Sequence, residues 1–485
     1  MFADLFKNSK KEASPLSTTT LQYQRPLFRP RPRQQKLYII FLLLWVGLAG
    51  CVHHSQPGYI ADLSEMPQDP LQYIFSFEQR ISTIDQARQE EMAQGYRSRY
   101  FLPWQSESPL YASDNLYWGL AEFEGKTLYA AQGLPYPEGW WTSLRANAHQ
   151  NGFPSMNRAG ITVRTAHLRV LPTQEPVFFN PDQAGQGYPF DMMQNSVLWT
   201  NTPVQVVHRS RDKAWLLVET GWVFGWVRAD DVAWVDEDQR ERLENCRLLA
   251  VTRDKVSLMD NNGSFQSMAR IGTLLLALDE TQNGYHIAFP ARGEGGQAVI
   301  RSALVDSEAV SPFPLELSAK RVAGLAGQMM GQVYGWGGLY ARRDCSAGMR
   351  DLFTPFGLWL PRNSSQQAQA GRVLDLSDFS AQEKEEFILE HGVPFMTLLW
   401  KPGHIMLYIG RYENRAAVWH ILWGVKTKGL WAGEGRHVVG RTVVTSLRPG
   451  NELNNLARPE GLLINGIEGM VFLGPGMGQE KHDGS

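Results

Sequence analysis

The chain reads as an α+β protein in which a helical N-terminal segment and two small all-β units precede a larger mixed domain. Three observations carry that reading. Apolar residues recur at roughly helical spacing at Leu71, Ile74, Phe75, Phe77, Ile81 and Ile84. From Gly160 onward the chain breaks into short β-type runs separated by Gly, Pro, Asn and Asp. Past residue 313 a helix signal is followed by longer apolar strands. With 485 residues, 43% apolar and 20% charged, the chain is globular material for roughly three or four domains.

The elements follow in order. Leu37 to Leu48 is an almost continuous apolar run behind Arg25, Arg29, Arg31, Arg33 and Lys36, and it ends in Leu48-Ala49-Gly50-Cys51. It falls short of the about 20 apolar residues a transmembrane helix needs and reads as a secretory signal, residues 1–50, closing on a lipobox. The pattern resembles bacterial lipoprotein leaders. That resemblance implies a lipidated Cys51 as mature N-terminus and membrane anchor, and an exported protein on the periplasmic face of the outer or inner membrane. Residues 51–155 are expected to form a helical stabilising region, helical from Pro67 to Gln94 and turn-rich from Pro103-Trp104 to Trp141. Residues 156–236 and 237–310 are expected to be two small barrels, with strands at Thr162-Val163-Arg164, His167-Leu168-Arg169, Pro203 to His208, Ala214 to Glu219 and Gly221 to Arg228 in the first. The second is expected to use Val256-Ser257-Leu258, Ile271-Gly272-Thr273 and Gln297 to Arg301.

The chemistry concentrates after residue 313. Asp344-Cys345-Ser346 follows the glycine-rich run Tyr334-Gly335-Trp336-Gly337-Gly338 and precedes Gly403-His404-Ile405-Met406-Leu407-Tyr408-Ile409-Gly410. Asp344 is a good N-cap, and Met349, Leu352 and Phe353 give the stretch after Cys345 helical spacing. Cys345 is therefore expected at a helix N-terminus, where the helix dipole favours a thiolate. His404 opens a strand after the turn Lys401-Pro402-Gly403, and His420 lies mid-run in Ala416 to Val425. If these strands pair antiparallel, the two histidines approach each other. A cysteine nucleophile needs such an imidazole as base, and the imidazole needs a polar group to orient it. A lone cysteine is more often an inert small hydrophobe. A capped cysteine, a glycine-rich lead-in and two histidines on successive strands together point to catalysis. His437 is a rival orienting residue, and His391 is expected at a helix C-terminus. Cys246, the remaining thiol, is expected in a strand.

These motifs, together with Pro361-Arg362-Asn363-Ser364-Ser365-Gln366, resemble the NlpC/P60 family of cell-wall cysteine peptidases over residues 313–475. The one departure is Ala347 ahead of Gly348, where the family usually has glycine directly after the serine. The resemblance implies a papain-like catalytic domain with Cys345 as nucleophile, His404 as base and acid, and His420 as orienting residue. It implies Tyr334 in the oxyanion site, and Asp344 and Ser346 as contacts for a murein peptide with a free N-terminal L-alanine. The two barrels resemble bacterial SH3 domains, and in resembling enzymes the first narrows the cleft with an aromatic, for which Tyr188, Trp222 and Trp226 are candidates. The expected reaction is cleavage of the γ-D-glutamyl–diamino acid bond, usually to meso-diaminopimelate, in peptidoglycan stem peptides.

Composition limits the alternatives. Net charge is −2, without a basic cluster outside the leader, so nucleic acid is not an expected partner. The histidines lack zinc-site spacing, so neither metal nor cofactor is implied. The same parts leave two other readings open: a non-catalytic murein-binding lipoprotein, and an amidase on the muramoyl–L-alanine bond.

Overall fold

The computed structural model of the chain describes residues 58–74, 85–260, 262–429 and 433–474. The run Leu37–Leu48, Cys51 and the expected helical positions Phe75, Phe77, Ile81 and Ile84 lie outside the described residues. Among the described residues no helix is long and apolar enough to cross a membrane.

Helix α1, Gln86–Gln105, is the long N-terminal helix; it overlaps the end of the helix expected over Pro67–Gln94 and runs on past it. The described part of that stretch holds one turn of 3-10 helix, Pro70–Tyr73, capped by Asp69, and the first turns of α1 from Gln86. Periodicity in Leu and Ile pointed upstream because the buried stripe of α1 is built from Gln89, Ala93, Tyr96, Tyr100, Phe101 and Trp104, several of them polar or amphipathic. Pro103 does not break the helix, since so near the end its missing N–H forfeits a single bond.

The first barrel contains β1 (Arg158–Thr162), β2 (Ala166–Arg169), β3 (Gln194–Leu198), β4 (Pro203–Arg209), β5 (Trp215–Glu219), β6 (Phe224–Arg228) and β7 (Val232–Trp234). Its antiparallel order is β3-β2-β6-β5-β4-β1-β7. Helix α2, Glu237–Asn245, opens on a reciprocal capping box between Asp236 and Gln239. Cys246 is the C-cap of this helix, not a strand residue, because the capping box starts a helix over the charged run before it. The second β domain follows as β8 (Arg247–Val251), the hairpin β9 (Val256–Met259) and β10 (Phe265–Ala269), β11 (Leu274–Thr281), β12 (Gly284–Arg292), β13 (Ala298–Asp306) and β14 (Val310–Pro312). Five of these form a sheet in the order β13-β12-β11-β8-β14.

The last domain packs α3 (Ala319–Gln328), α4 (Cys345–Phe353) and α5 (Ala381–His391) with a six-stranded sheet. The strands are β15 (Arg372–Asp375), β16 (Thr397–Lys401), β17 (His404–Tyr412), β18 (Arg415–Gly429), β19 (Gly433–Thr445) and β20 (Gly469–Phe472), in the order β15-β20-β16-β17-β18-β19. Helix α4 is buried along its whole length against β17 and β18. Gly348 permits that approach, since a Cβ there would lie 2.6 Å from Ile421 Cδ1. The ladder between β17 and β18 is antiparallel, with Leu407 opposite Trp419.

Residues 58–74 form a strap along the outer strand β19. Ile60 is buried among Leu422, Val425, Val443 and Leu456. The Gln68 amide donates to Val444 O at 2.9 Å and accepts from Val444 N at 3.1 Å. The strap thereby satisfies backbone groups that a sheet edge leaves open.

Candidate active site

Cys345 is the first residue of α4, and the Asp344 carboxylate accepts from Ala347 N at 2.8 Å as its N-cap. Asp344 is not a free cap. It accepts from Arg362 Nη2 at 2.6 Å and Nη1 at 3.2 Å, from Gly337 N at 3.0 Å and from Ser346 Oγ at 3.2 Å. Burial alone would raise its pKa, but the Arg362 guanidinium and these donors hold it below the usual carboxylate range. Arg362 reaches further, donating to Ser346 Oγ at 2.9 Å and to Ser196 Oγ of β3 at 2.8 Å. Gln367 donates to Ser346 O at 2.8 Å and ties the segment after Pro361 to α4. The motif Pro361 to Gln366 was legible, but the anchoring role of Arg362 was not.

The glycine-rich run has a packing reason. Gly337 and Gly338 have φ of 56° and 87°. Added Cβ atoms would lie 2.1 Å from Gln194 O and 2.4 Å from Val197 Cγ2, so glycine lets β3 of the first barrel press on this loop. The contact is fixed by Gln194 Nε2 donating to Gly337 O at 2.9 Å and Trp336 Nε1 donating to Asp191 O at 3.1 Å.

His404 begins β17, and its Nε2 lies 2.9 Å from Nδ1 of His420, which is fully buried on β18. His420 Nε2 lies 3.0 Å from Thr445 Oγ1 on β19. Ile405, next after His404, directs its backbone N–H at the Cys345 sulfur, so α4 and the start of β17 meet at the thiol. His437 is not part of this group, since its Nε2 contacts Tyr59 O on the strap. His391 is the last residue of α5.

Burial dominates the electrostatics. It pushes the Cys345 thiol up to about 12, with the Asp344 charge adding to the rise. It draws His404 down to about 3, helped by the Lys401 charge, and it draws His420 well below its ordinary value with His404 as the lesser cause. The helix terminus is where it was expected, but its dipole effect of about 0.3–1 kcal/mol acts against burial and the Asp344 charge, which both disfavour the thiolate. Burial thus favours the uncharged thiol and the uncharged imidazole. Lys401, which sequence reasoning passed over, pairs across the sheet with His404.

Tyr334 is buried, and burial holds its hydroxyl well above its ordinary value, with the charges of Asp344 and Cys345 as lesser causes. Its ring packs against Trp423 at 5.5 Å. Of the three barrel aromatics singled out, Trp226 is fully buried in the first barrel and Tyr188 is exposed. Trp222 packs edge-on to Trp359, with Arg350 over its ring. The aromatic that reaches this loop is Phe190, at 5.1 Å from Trp336 and 5.6 Å from Trp423. It was missed because it sits in a non-repetitive segment between β2 and β3, where no periodicity marks an inward side chain.

The fold and this arrangement define a class. Residues 331–414 match the NlpC/P60 family, residues 37–153 the N-terminal NLPC_P60 stabilising domain, residues 176–228 an SH3 domain of SH3b1 type and residues 236–282 an SH3 domain of SH3b2 type. The chain therefore carries an NlpC/P60 catalytic domain behind its stabilising domain and tandem SH3 domains. Its structure is similar to that of an NlpC/P60 endopeptidase from Photobacterium damselae subsp. piscicida, with TM-score 0.76 and 26% identity over 84% of this chain and 97% of that one. A gamma-D-glutamyl-L-lysine dipeptidyl-peptidase of Bacillus subtilis (strain 168) is 28% identical over 137 residues, which is 28% of this chain and 42% of the relative's length.

Proposed function

We propose that the chain is an exported lipoprotein, anchored at Cys51, that hydrolyses the γ-D-glutamyl–diamino acid bond of peptidoglycan stem peptides. Cys345 is the nucleophile, His404 the base and acid, and His420 the residue that orients His404. The observation that carries the reading is the 2.9 Å bond between the two imidazoles on strands packed against the cysteine helix. The resemblance to γ-D-glutamyl peptidases supports the choice of bond.

The steps start from the uncharged thiol and imidazole. The Cys345 S–H proton passes to His404 as sulfur attacks the scissile carbonyl carbon, and the new C–S bond places negative charge on the carbonyl oxygen. The backbone N–H of Cys345 and the Tyr334 hydroxyl donate to that oxygen. His404 then protonates the departing amine as the C–N bond breaks, leaving a thioester. Water, deprotonated by His404, hydrolyses the thioester and restores the thiol. Asp344, kept anionic by Arg362, and Ser346 receive the free α-amino group of the L-alanine end, and binding energy there orients the bond.

The test is mass spectrometry of L-Ala-γ-D-Glu-meso-diaminopimelate incubated with the purified chain and with its Cys345→Ala variant. Release of L-Ala-γ-D-Glu by the unaltered chain alone is the expected result; no cleavage by a folded sample shifts the reading to the amidase or to murein binding without turnover. His420→Ala is expected to slow turnover less than His404→Ala, because it leaves the base in place. Equal rates for His420→Ala and the unaltered chain remove His420 from the mechanism.

A further inference from the structure

We infer that Thr445 is a positioning residue of this site, fixing the tautomers of both histidines so that His404 presents a lone pair at Nδ1. For its effect on turnover the inference rests on the peptidase reading above. Its structural content stands on hydrogen-bond accounting for two uncharged rings.

Thr445 Oγ1 has two close polar neighbours, Ser446 O at 2.7 Å and His420 Nε2 at 3.0 Å. Two oxygens 2.7 Å apart need a hydrogen between them, and a backbone carbonyl has none to offer. The hydroxyl therefore donates to Ser446 O. A hydroxyl has one hydrogen, so toward His420 it can only accept, and His420 must carry its proton on Nε2. The ring is fully buried and uncharged, so its Nδ1 bears a lone pair. The group 2.9 Å from that lone pair is His404 Nε2, which must donate. His404 is uncharged as well, and its Nδ1 is left as the acceptor nitrogen. One hydroxyl at the far end of the chain of bonds thus decides which nitrogen can receive a proton at the near end.

The anchor of this chain is itself held. Ser446 N and Ser446 Oγ both donate to Asp62 Oδ2, at 2.8 and 2.9 Å, and Asp62 is buried on the strap formed by residues 58–74. Ser446, the residue whose carbonyl accepts from Thr445, is therefore held through both its N–H and its side chain. Histidine tautomers in hydrolytic sites are ordinarily set by a carboxylate. A hydroxyl locked to a carbonyl serves here, and it introduces no negative charge beside a thiol that Asp344 already disfavours as thiolate.

Removing the hydroxyl frees His420 to take its proton on Nδ1. That proton would face His404 Nε2, which must then accept and move its own proton to Nδ1, where none is wanted. Thr445→Val is expected to lower kcat about 10- to 100-fold with KM within about twofold, the range for loss of an orienting group, and Thr445→Ser to recover kcat to within about threefold of the unaltered chain. The direct readout is 15N NMR of ring-labelled histidines in the full chain, with His404→Gln and His420→Gln for assignment. The unaltered chain and Thr445→Ser are expected to show both rings protonated at Nε2, and Thr445→Val to lose the His420 Nε2–H signal. His420 protonated at Nδ1 in the unaltered chain, or a Thr445→Val variant with unchanged kcat, overturns the inference. If the unaltered chain cleaves no stem peptide, the peptidase reading falls, while the NMR result still decides the tautomers; if Thr445→Val does not fold, the unaltered chain and Thr445→Ser spectra decide them.

Discussion

The two ends of the candidate site are built from opposite materials. Around Cys345 the groups are charged and paired: Asp344 and Arg362 meet at 2.6 Å, both buried, with Ser196 of the first barrel completing the guanidinium's partners. Behind His404 they are neutral, an imidazole, a second imidazole, a hydroxyl and a carbonyl in series, braced by the N-terminal strap, with the Lys401 charge on the neighbouring strand. The charged end makes the thiolate harder to form, since the Asp344 charge raises the thiol. In the proposed mechanism reactivity comes from the neutral end, where proton acceptance by His404 creates the balancing positive charge only while the reaction proceeds. Before then neither charge is exposed to a low-dielectric surrounding without its partner.

The comparison can be broken most completely at the thiol. Cys345→Ala is expected to abolish hydrolysis with thermal stability within a few degrees of the unaltered chain, read by turnover and a melting curve. Measurable turnover in that variant would place the nucleophile elsewhere. Next in size is Arg362→Met, which leaves Asp344 as a buried carboxylate without its cation. A buried pair broken from one side costs about 3–5 kcal/mol, and denaturant unfolding should show a loss of that order. Arg362→Met combined with Asp344→Leu should recover part of it, since no charge then stays unpaired.

Acid acts on the two ends with the same sign but in different windows. His404 and His420 have folded values below their ordinary 6.5, so below pH 6.5 the unfolded chain binds protons that the native one does not. Stability therefore falls as pH drops through 6.5 and keeps falling toward the folded value, about 3 for His404. Between pH 7 and 5 the loss is about 2 kcal/mol for His404, and His420 adds a loss in the same direction. The depressed value of Asp344 works in a lower window: its contribution is fully present above its ordinary 3.8 and is lost only as pH falls through its folded value. Unfolding at pH 7 and pH 5 in the unaltered chain and in His420→Gln should show the smaller acid loss in the variant. Equal losses would mean that His420 is charged when folded.

Much of the neutral end was legible in the sequence because strands alternate with period 2 and hydrophobic runs announce them. His404 after Lys401-Pro402-Gly403 and His420 inside an apolar run could be placed on neighbouring strands without coordinates. The α+β class and the helix opening at Cys345 were legible for the same reason, from N-cap chemistry and spacing. What escaped was whatever depends on non-local approach. Thr445 lies at the end of β19 and meets His420 only through the sheet register. Ser196 and Arg362 are separated by 166 positions. The later part of helix α1, past Gln94, escaped because tyrosines fill its inner stripe, and burial against the two β domains, not intrinsic hydropathy, makes that stripe the inside.

The finest test of the comparison lies where the first barrel touches the site without charge. Phe190 meets Trp336 and Trp423 edge-on, at interplanar angles of 75° and 80°, and Trp423 in turn lies against Tyr334. Phe190→Leu keeps apolar bulk but loses ring geometry, a change of about 0.5–1.5 kcal/mol for such aromatic pairs. If the barrel acts on binding and the neutral end on chemistry, this loss should appear as a rise of about 2- to 10-fold in KM for the tripeptide with kcat unchanged. A fall in kcat at constant KM would instead mean that the ring series from Phe190 through Trp423 positions the Tyr334 hydroxyl against the reacting carbonyl. The barrel would then belong to the chemical machinery.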